Sequence, residues 1–393
     1  MTKIKKTFFV VLFFLFFDLL FSQLFLLDLI TKNREIAHKE DIENRVFNEK
    51  YKYTLNKNKT FNSMYFGHHY VVHTNNLGFR DKEVRNLDPK KKYSIIIGDS
   101  FVEGVTLSYE NTVVGILNSK IKNIETFEFL NAGVASYSSY IYLKKIKTVL
   151  TENPWLNINS IFVFLDKSDI HNDLEYLNEP DTFKINPEWK YKNKRKASFK
   201  KDLLNLNLWR FYTKQTVSGL LIKVIGDRIE FFVRDIRDRF KLSKKLNKSF
   251  FEIPKSYTDA LRSINDKRFY ANYFYGENWN TIGKKSAGFS IKNLILLKNF
   301  LDKEKIPMIV VLYPWSYEIV EPIPRNNYLN FMEKNLNKNN IQFISLYDNF
   351  LVGDPYQNIS DNFIFNDVHY NASGNKLLSN AFYNRIKSRL NLD

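Results

Sequence analysis

From residue 93 onward, short continuous apolar runs alternate with longer amphipathic stretches. "YSIIIGDS" (93–100), "FEFLNAGVA" (127–135), "SIFVFLD" (160–166), "PMIVVLYPW" (307–315) and "IQFISLY" (341–347) read as strands. Runs this short, without polar alternation, suit strands buried on both faces. Residues 112–121, 138–152, 286–304, 326–340 and 372–390 carry apolar positions at helical spacing. Alternating strands and helices predict an α/β fold with a five-stranded parallel sheet, doubly wound by right-handed crossovers. In such a sheet the ligand site lies beyond the carboxyl ends of the strands. Those ends read "GDSF", "NAGVASYSS", "DKSDIHND", "YPWSYE" and, after a loop, "FNDVHYNASGN", where glycine and polar residues collect.

Two stretches fall outside the alternation. The chain opens "MTKIKKTFFVVLFFLFFDLLFSQLFLLDLI". An apolar run over 8–30 follows Lys3, Lys5 and Lys6, and about 20 apolar residues span a bilayer core. The expectation is a cytoplasmic tip at 1–6, an uncleaved transmembrane helix at 7–30 and export of the remainder. A cleaved signal peptide is the alternative, but no small-x-small site follows the run. Asp18 lies mid-run and needs a partner in lipid. Residues 31–90 then read as a juxtamembrane stalk and approach to the domain, which occupies 91–393. The second interruption, at about 176–272, is expected to be a helical insertion. It is either a lid or membrane-resting element, or a small subdomain packed on the sheet.

Charge changes the view of that insertion. The formal net charge is +17. Residues 190–248 hold 18 Lys/Arg against 5 Asp/Glu, so most of the excess sits there. A solvated basic surface, anionic headgroups or an acidic glycan each fit it. No nucleic-acid-binding motif is present. Cysteine is absent, which excludes disulfides and thiolate chemistry. No phosphate-binding glycine loop or metal-ligand spacing occurs, so no cofactor or metal is implied.

The candidate chemistry is nucleophilic. Ser100 follows the first strand, where its hydroxyl can face the crevice, and a serine needs a base to take its proton. Of six histidines, His369 stands just before the last helix with Asp367 two residues upstream. An acid beside the imidazole stabilises it when protonated. Ser100 N–H and Gly133 N–H are candidate donors to an oxyanion, with a third from the loop after strand three.

These motifs resemble the SGNH/GDSL hydrolases, serine esterases and acyltransferases of flavodoxin-like α/β/α fold. "GDSF" is similar to the family's first block, "NAGVAS" to its second and "NDVHYNASGN" to its last. The resemblance covers roughly 93–175 and 286–390. It implies Ser100 as nucleophile, Gly133 as oxyanion donor and His369 as base. In the third block, where the family supplies Asn, the loop carries Ser168 with Asp169 beside it. Ser168 or Asn172 would then complete the oxyanion hole. His171 in the same loop reads as a surface residue. The family's Asp stands three residues before its His; here that position is Asn366, and Asp367 gives Asp-x-His. That spacing resembles the polysaccharide O-acetyltransferases of alginate biosynthesis. Asp169, Tyr313 and Trp315 are candidates for substrate contact, with capping or core packing as the alternative.

The resemblance and the anchor together imply an esterase or O-acyltransferase on the periplasmic side of a bacterial inner membrane, single-pass. Acyl esters, acetyl above all, of a cell-envelope or exported polysaccharide are the expected substrate, and a membrane acyl-donor protein is a candidate partner. A lipid esterase and an inactive glycan-binding scaffold are the alternatives.

Overall fold

The computed structural model describes residues 3–21, 39–65, 67–123, 125–178, 216–264, 274–390 and 392. The chain divides into two compact units. One comprises Met1–Ile42 and Asn186–Ile253, the other Glu43–Ile185 and Pro254–Asp393.

Among the described residues the second unit holds ten strands. β1 (Arg45–Asn48) and β2 (Lys52–Leu55) form a separate antiparallel hairpin. β3 (Thr60–Tyr65), β4 (His68–Thr74), β5 (Arg80–Asp81), β6 (Lys92–Ile97), β7 (Phe127–Asn131), β8 (Asn157–Leu165), β9 (Met308–Leu312) and β10 (Gln342–Ser345) build one sheet. Its order is β10-β9-β8-β6-β7-β5-β4-β3. The strands from β10 to β7 are parallel, as the apolar runs predict. Taken in chain order, those five strands lie 2-1-3-4-5 across the sheet, the flavodoxin arrangement. The crevice of such a sheet opens between its first and third strands, here β6 and β8.

Period-2 geometry explains the unbroken apolar runs. Ile95, Ile97, Ile161, Val163 and Leu165 join the core cluster that includes Ile141 and Ile146 of the helix Ser139–Glu152 and Leu294 and Leu297 of the helix Lys284–Lys303. The intervening Phe162 and Phe164 meet Phe382 of the helix Ala372–Leu390 on the other face. Each fully buried Ile or Phe side chain contributes roughly 1.5–3 kcal/mol. A polar residue on these strands therefore needs a partner, as where Ser94 of β6 and Ser160 of β8 hydrogen-bond each other at 2.7 Å.

Residues 60–81 correct the expected stalk. β3, β4 and β5 extend the sheet antiparallel from β7, with Arg80 registered against Asn131. Their burial alternates, Phe61 and Ser63 facing in on β3 and Tyr70, Val72 and Thr74 on β4. Half-buried strands of this kind look polar in a sequence.

In the first unit, the N-terminal helix is Lys3–Phe21. Among the described residues no helix is long and apolar enough to cross a membrane. The described helix ends well short of the expected span at 7–30, and residues 22–30 lie outside the described residues. The same holds for much of the expected insertion, at 179–215 and 265–273. Its described core is the 30-residue helix Val217–Leu246.

Candidate active site

β6 delivers the chain to a single helical turn, Ser100–Glu103. Asp99 caps that turn, its Oδ1 accepting Phe101 N–H at 2.9 Å. Gly104 ends it with φ +77°, a left-handed conformation that glycine adopts without strain. As the first helical residue, Ser100 has no carbonyl one turn back to take its N–H.

The Ser100 hydroxyl lies 2.7 Å from His369 Nε2. His369 Nδ1 hydrogen-bonds Asp367 Oδ1, and the same oxygen accepts the His369 backbone N–H at 2.9 Å. An ionised carboxylate only accepts, so Nδ1 carries the proton. The Nε2 lone pair then faces the serine, the arrangement that lets imidazole take its proton. A tight turn makes this possible. Ile364 N–H donates to His369 O and Asp367 N–H to Ile364 O. Asn366 sits at φ +60°, a region asparagine tolerates, and stays exposed while Asp367 is buried. The Asp-x-His spacing thus aims Asp367, not Asn366, at the ring. Phe101 and Tyr65 of β3 flank the imidazole, with ring centroids at 4.7 and 5.2 Å. Burial opposes charging His369. The Asp367 hydrogen bond and charge outweigh it, with Asp99 and Asp166 adding, and hold the imidazole above its usual pKa.

Ser168 occupies a different role from the one its motif position suggests. Its hydroxyl lies 2.6 Å from Asp166 Oδ1 and 3.2 Å from Asp99 Oδ2, so it is engaged with carboxylates. One hydroxyl hydrogen serves one acceptor, so the second carboxylate contact is satisfied when Asp99 carries a proton itself. Burial and the charge of Asp166 push Asp99 up to about 7, which fits such a shared proton. Asp169 is buried too. It accepts the Tyr142 hydroxyl at 2.7 Å and Asp166 N–H at 2.9 Å. It therefore holds the loop after β8 in shape and does not face a substrate.

Gly133 lies against the Ser100–Glu103 turn. A Cβ there would come within 2.6 Å of Glu103 N and 2.7 Å of Val102 Cβ, so only glycine allows the approach. Its N–H, however, donates to Asn131 Oδ1 at 3.1 Å, while Asn131 Nδ2 donates to Val102 O at 2.7 Å. Asn131 thus ties the two loops together, and the Gly133 N–H is directed at that side chain. Of the three expected oxyanion donors, Ser100 N–H is the one without a partner of this kind.

Support comes from chain that the motifs do not reach. Arg45 of β1 grips the buried Glu103 carboxylate with two hydrogen bonds, at 2.6 and 3.0 Å. The Arg45 charge outweighs burial and holds the Glu103 carboxyl below its usual pKa. Glu103 also accepts Ala135 N–H at 2.6 Å. Arg80 of β5, 1% exposed, donates to Glu103 O and Gly104 O, each at 2.7 Å. These arginines fix both the side chain and the last carbonyls of the serine's helical turn.

The expected pocket wall is also placed differently. Tyr313 is buried among Phe101, Phe164 and Tyr370 and donates to Asp166 Oδ2 at 3.2 Å. Trp315 is 4% exposed, with Phe101 and Tyr317 beside it. Both rings belong to the core under the site, and neither presents a face to a sugar. His171 and Asn172 are half-buried on the helix Ser168–Asn178. Among the described residues no cluster of three or more His, Asp or Glu side chains is arranged to hold a metal ion.

No family model matches the chain, and no curated protein matches it. Among solved structures, a member of the lipolytic G-D-S-L family from Veillonella parvula is 12% identical over 76% of this chain and 99% of its own, with TM-score 0.37. The acetyl xylan esterase AlAXEase is 15% identical over 75% and 99%, with TM-score 0.38. The psychrotrophic esterase EstA from Pseudoalteromonas sp. is 12% identical over 76% and 98%, with TM-score 0.37.

Proposed function

We propose that this chain is a serine esterase or O-acyltransferase of the SGNH/GDSL kind. The observation that carries it is the contact of Ser100 Oγ with His369 Nε2 at 2.7 Å, with His369 Nδ1 held by Asp367. In this reading His369 takes the Ser100 proton as Oγ attacks an ester carbonyl. The carbonyl oxygen becomes an oxyanion, which Ser100 N–H meets. His369 then returns the proton to the leaving alkoxide, giving an acyl-serine. Water or a sugar hydroxyl, deprotonated by the same imidazole, attacks the acyl group and frees the serine. An assembled triad favours an enzyme over an inert scaffold.

The proposal extends to place and substrate. The run at 8–30 anchors the chain in the bacterial inner membrane, with Lys3, Lys5 and Lys6 cytoplasmic and the hydrolase unit periplasmic. Phe9, Val10, Phe13 and Phe16 are each more than 60% exposed, which suits a lipid surrounding. The substrate is an acetylated envelope polysaccharide, a choice supported by the Asp-x-His spacing and the anchor.

A fluorophosphonate probe tests the chemistry. Wild-type protein should be labelled, and Ser100→Ala should lose the label with its fold intact. No labelling of folded wild-type protein would refute the enzyme. Release of acetate from an acetylated glycan, but no turnover of long-chain lipid esters, separates the proposed substrate from a lipid.

A further inference from the structure

The antiparallel strands β3 and β4 carry no group used in the proposed chemistry, yet their linked ends stand at the imidazole. β4 runs past the turn that holds Ser100. Arg80, which donates to Glu103 O and Gly104 O of that turn, also reaches Leu107 O at 2.5 Å and Val71 O of β4 at 3.4 Å. The Tyr70 ring lies 5.4 Å from the same guanidinium. Beyond it, Tyr65 at the end of β3 meets the His369 ring edge to face at 5.2 Å.

Tyr65 pairs with His68 across the two strands, and directly opposed residues of an antiparallel pair share a face. Period-2 alternation makes it the face of Phe61, Ser63, Tyr70 and Val72, which are buried. At the linked ends this face comes out of the core, with Tyr65 half-buried and His68 exposed. Phe101, the other ring beside His369, is 4% exposed. Of the two rings, Tyr65 is the one a ligand can reach.

The chemistry fixes which part of an ester comes here. The leaving alkoxide takes its proton from His369 Nε2, so the alcohol oxygen comes within hydrogen-bond reach of that nitrogen. The carbonyl oxygen turns toward Ser100 N–H instead. A side chain against the imidazole therefore borders the alcohol. Charge narrows the choice of alcohol. The stretch TFNSMYFGHHYVVHT (60–74) holds no Lys, Arg, Asp or Glu, in a chain where 26% of residues are charged. Asp367 and Asp99 lie against His369 and Ser100. An anionic alcohol would be repelled by them, with no cation on these strands to offset it. An aromatic ring with an imidazole beside it suits a neutral molecule with apolar C–H faces and hydroxyl groups.

We infer that the linked ends of β3 and β4 form the subsite for the alcohol part of the ester, an uncharged sugar, with Tyr65 as its specificity-determining residue. The Tyr65 ring packs on the sugar's C–H face, and His68 hydrogen-bonds one of its hydroxyls. The inference rests on the esterase reading and names the alcohol of its substrate.

Ethyl acetate and an acetylated methyl glucoside carry the same acyl group. The ratio of their kcat/KM values, read from release of alcohol by the full chain, therefore reports on this subsite. Wild-type protein should favour the glucoside over ethyl acetate, and over the corresponding acetylated methyl glucuronide. Tyr65→Ala should lower the glucoside-to-ethyl ratio about 10-fold, mainly through KM, and Tyr65→Phe should keep it. His68→Ala, at an exposed position, should lower the ratio several-fold and keeps the test open if Tyr65→Ala does not fold. His73→Ala, on the outward face of β4, should leave it unchanged. Suppose wild-type protein is labelled by the fluorophosphonate but the ratio is untouched by Tyr65→Ala and His68→Ala. The subsite is then overturned and the esterase stands. A preference for the glucuronide overturns it in the same way. Folded wild-type protein that no fluorophosphonate labels overturns the esterase reading, and the subsite with it.

Discussion

Arg45→Met probes whether the segment before residue 90 belongs to the catalytic unit. Removing one partner of a buried ion pair typically costs about 3–5 kcal/mol, because the other charge is left stranded. Arg45 is 19% exposed and Glu103 is 0%, so water can reach the vacated place from one side. That puts the expected loss at about 3 kcal/mol, in the lower part of the range. Urea unfolding of the purified full chain at neutral pH measures it. The pH dependence follows from Glu103. Its carboxyl lies below its ordinary 4.5 in the fold, so it contributes stability that is complete above 4.5 and is lost as pH falls through the lower folded value. Without Arg45, burial pushes the carboxyl up instead, so Glu103 takes a proton readily in mild acid. The deficit of Arg45→Met should therefore shrink as pH falls from Glu103's raised value in the variant, above 4.5, to its lowered value in the wild type. Arg45→Met/Glu103→Gln removes the stranded charge and should recover most of the loss at neutral pH. A deficit under about 1 kcal/mol would refute the reasoning, as would a deficit independent of pH or a double variant no better than the single one.

Three further outcomes are expected. Asp367→Asn should lower kcat/KM about 10³–10⁴-fold, and the rise of activity with pH, set in the wild type by an imidazole held above 6.5, should move to lower pH. Asp99 has a folded value of about 7 against an ordinary 3.8, so it makes stability decline from about pH 4 to about pH 7. Asp99→Asn should flatten that decline in unfolding curves taken across the window; an unchanged slope would rule out the shared proton. Gly133→Ala forces a methyl against Glu103 N and Val102, and should cost about 1–3 kcal/mol with a marked slowing of fluorophosphonate labelling.

Much of this was readable in the sequence where physics leaves one solution. The central parallel strands had to be mainly apolar because helices cover both faces. Strand ends then marked Ser100 and His369 for attention. β3 and β4 escaped because an antiparallel strand with one wet face alternates, and "HHYVVHT" looks no different from a polar stalk. Arg45, Arg80 and Asn131 escaped for another reason. Each acts through a contact with residues 23 to 58 positions away, and no local pattern announces such a pairing. Tyr313, Trp315 and Asp169 sit at the right strand ends but turn inward. Position after a strand fixes a residue's height in the sheet, not the direction of its side chain. Ser168 was misplaced for the same reason, drawn to Asp166 and Asp99 beneath the cleft.

The contact between Ser100 and His369 bridges 269 positions of chain. While such a protein is being synthesised, the serine is made and its strand can be paired long before the imidazole exists. A nascent chain of this design carries an unarmed hydroxyl, unable to acylate itself or attack its surroundings in the compartment where it is made. On the proposed chemistry, the serine meets its base only when the turn at Ile364–His369 docks, so that contact also marks the end of assembly.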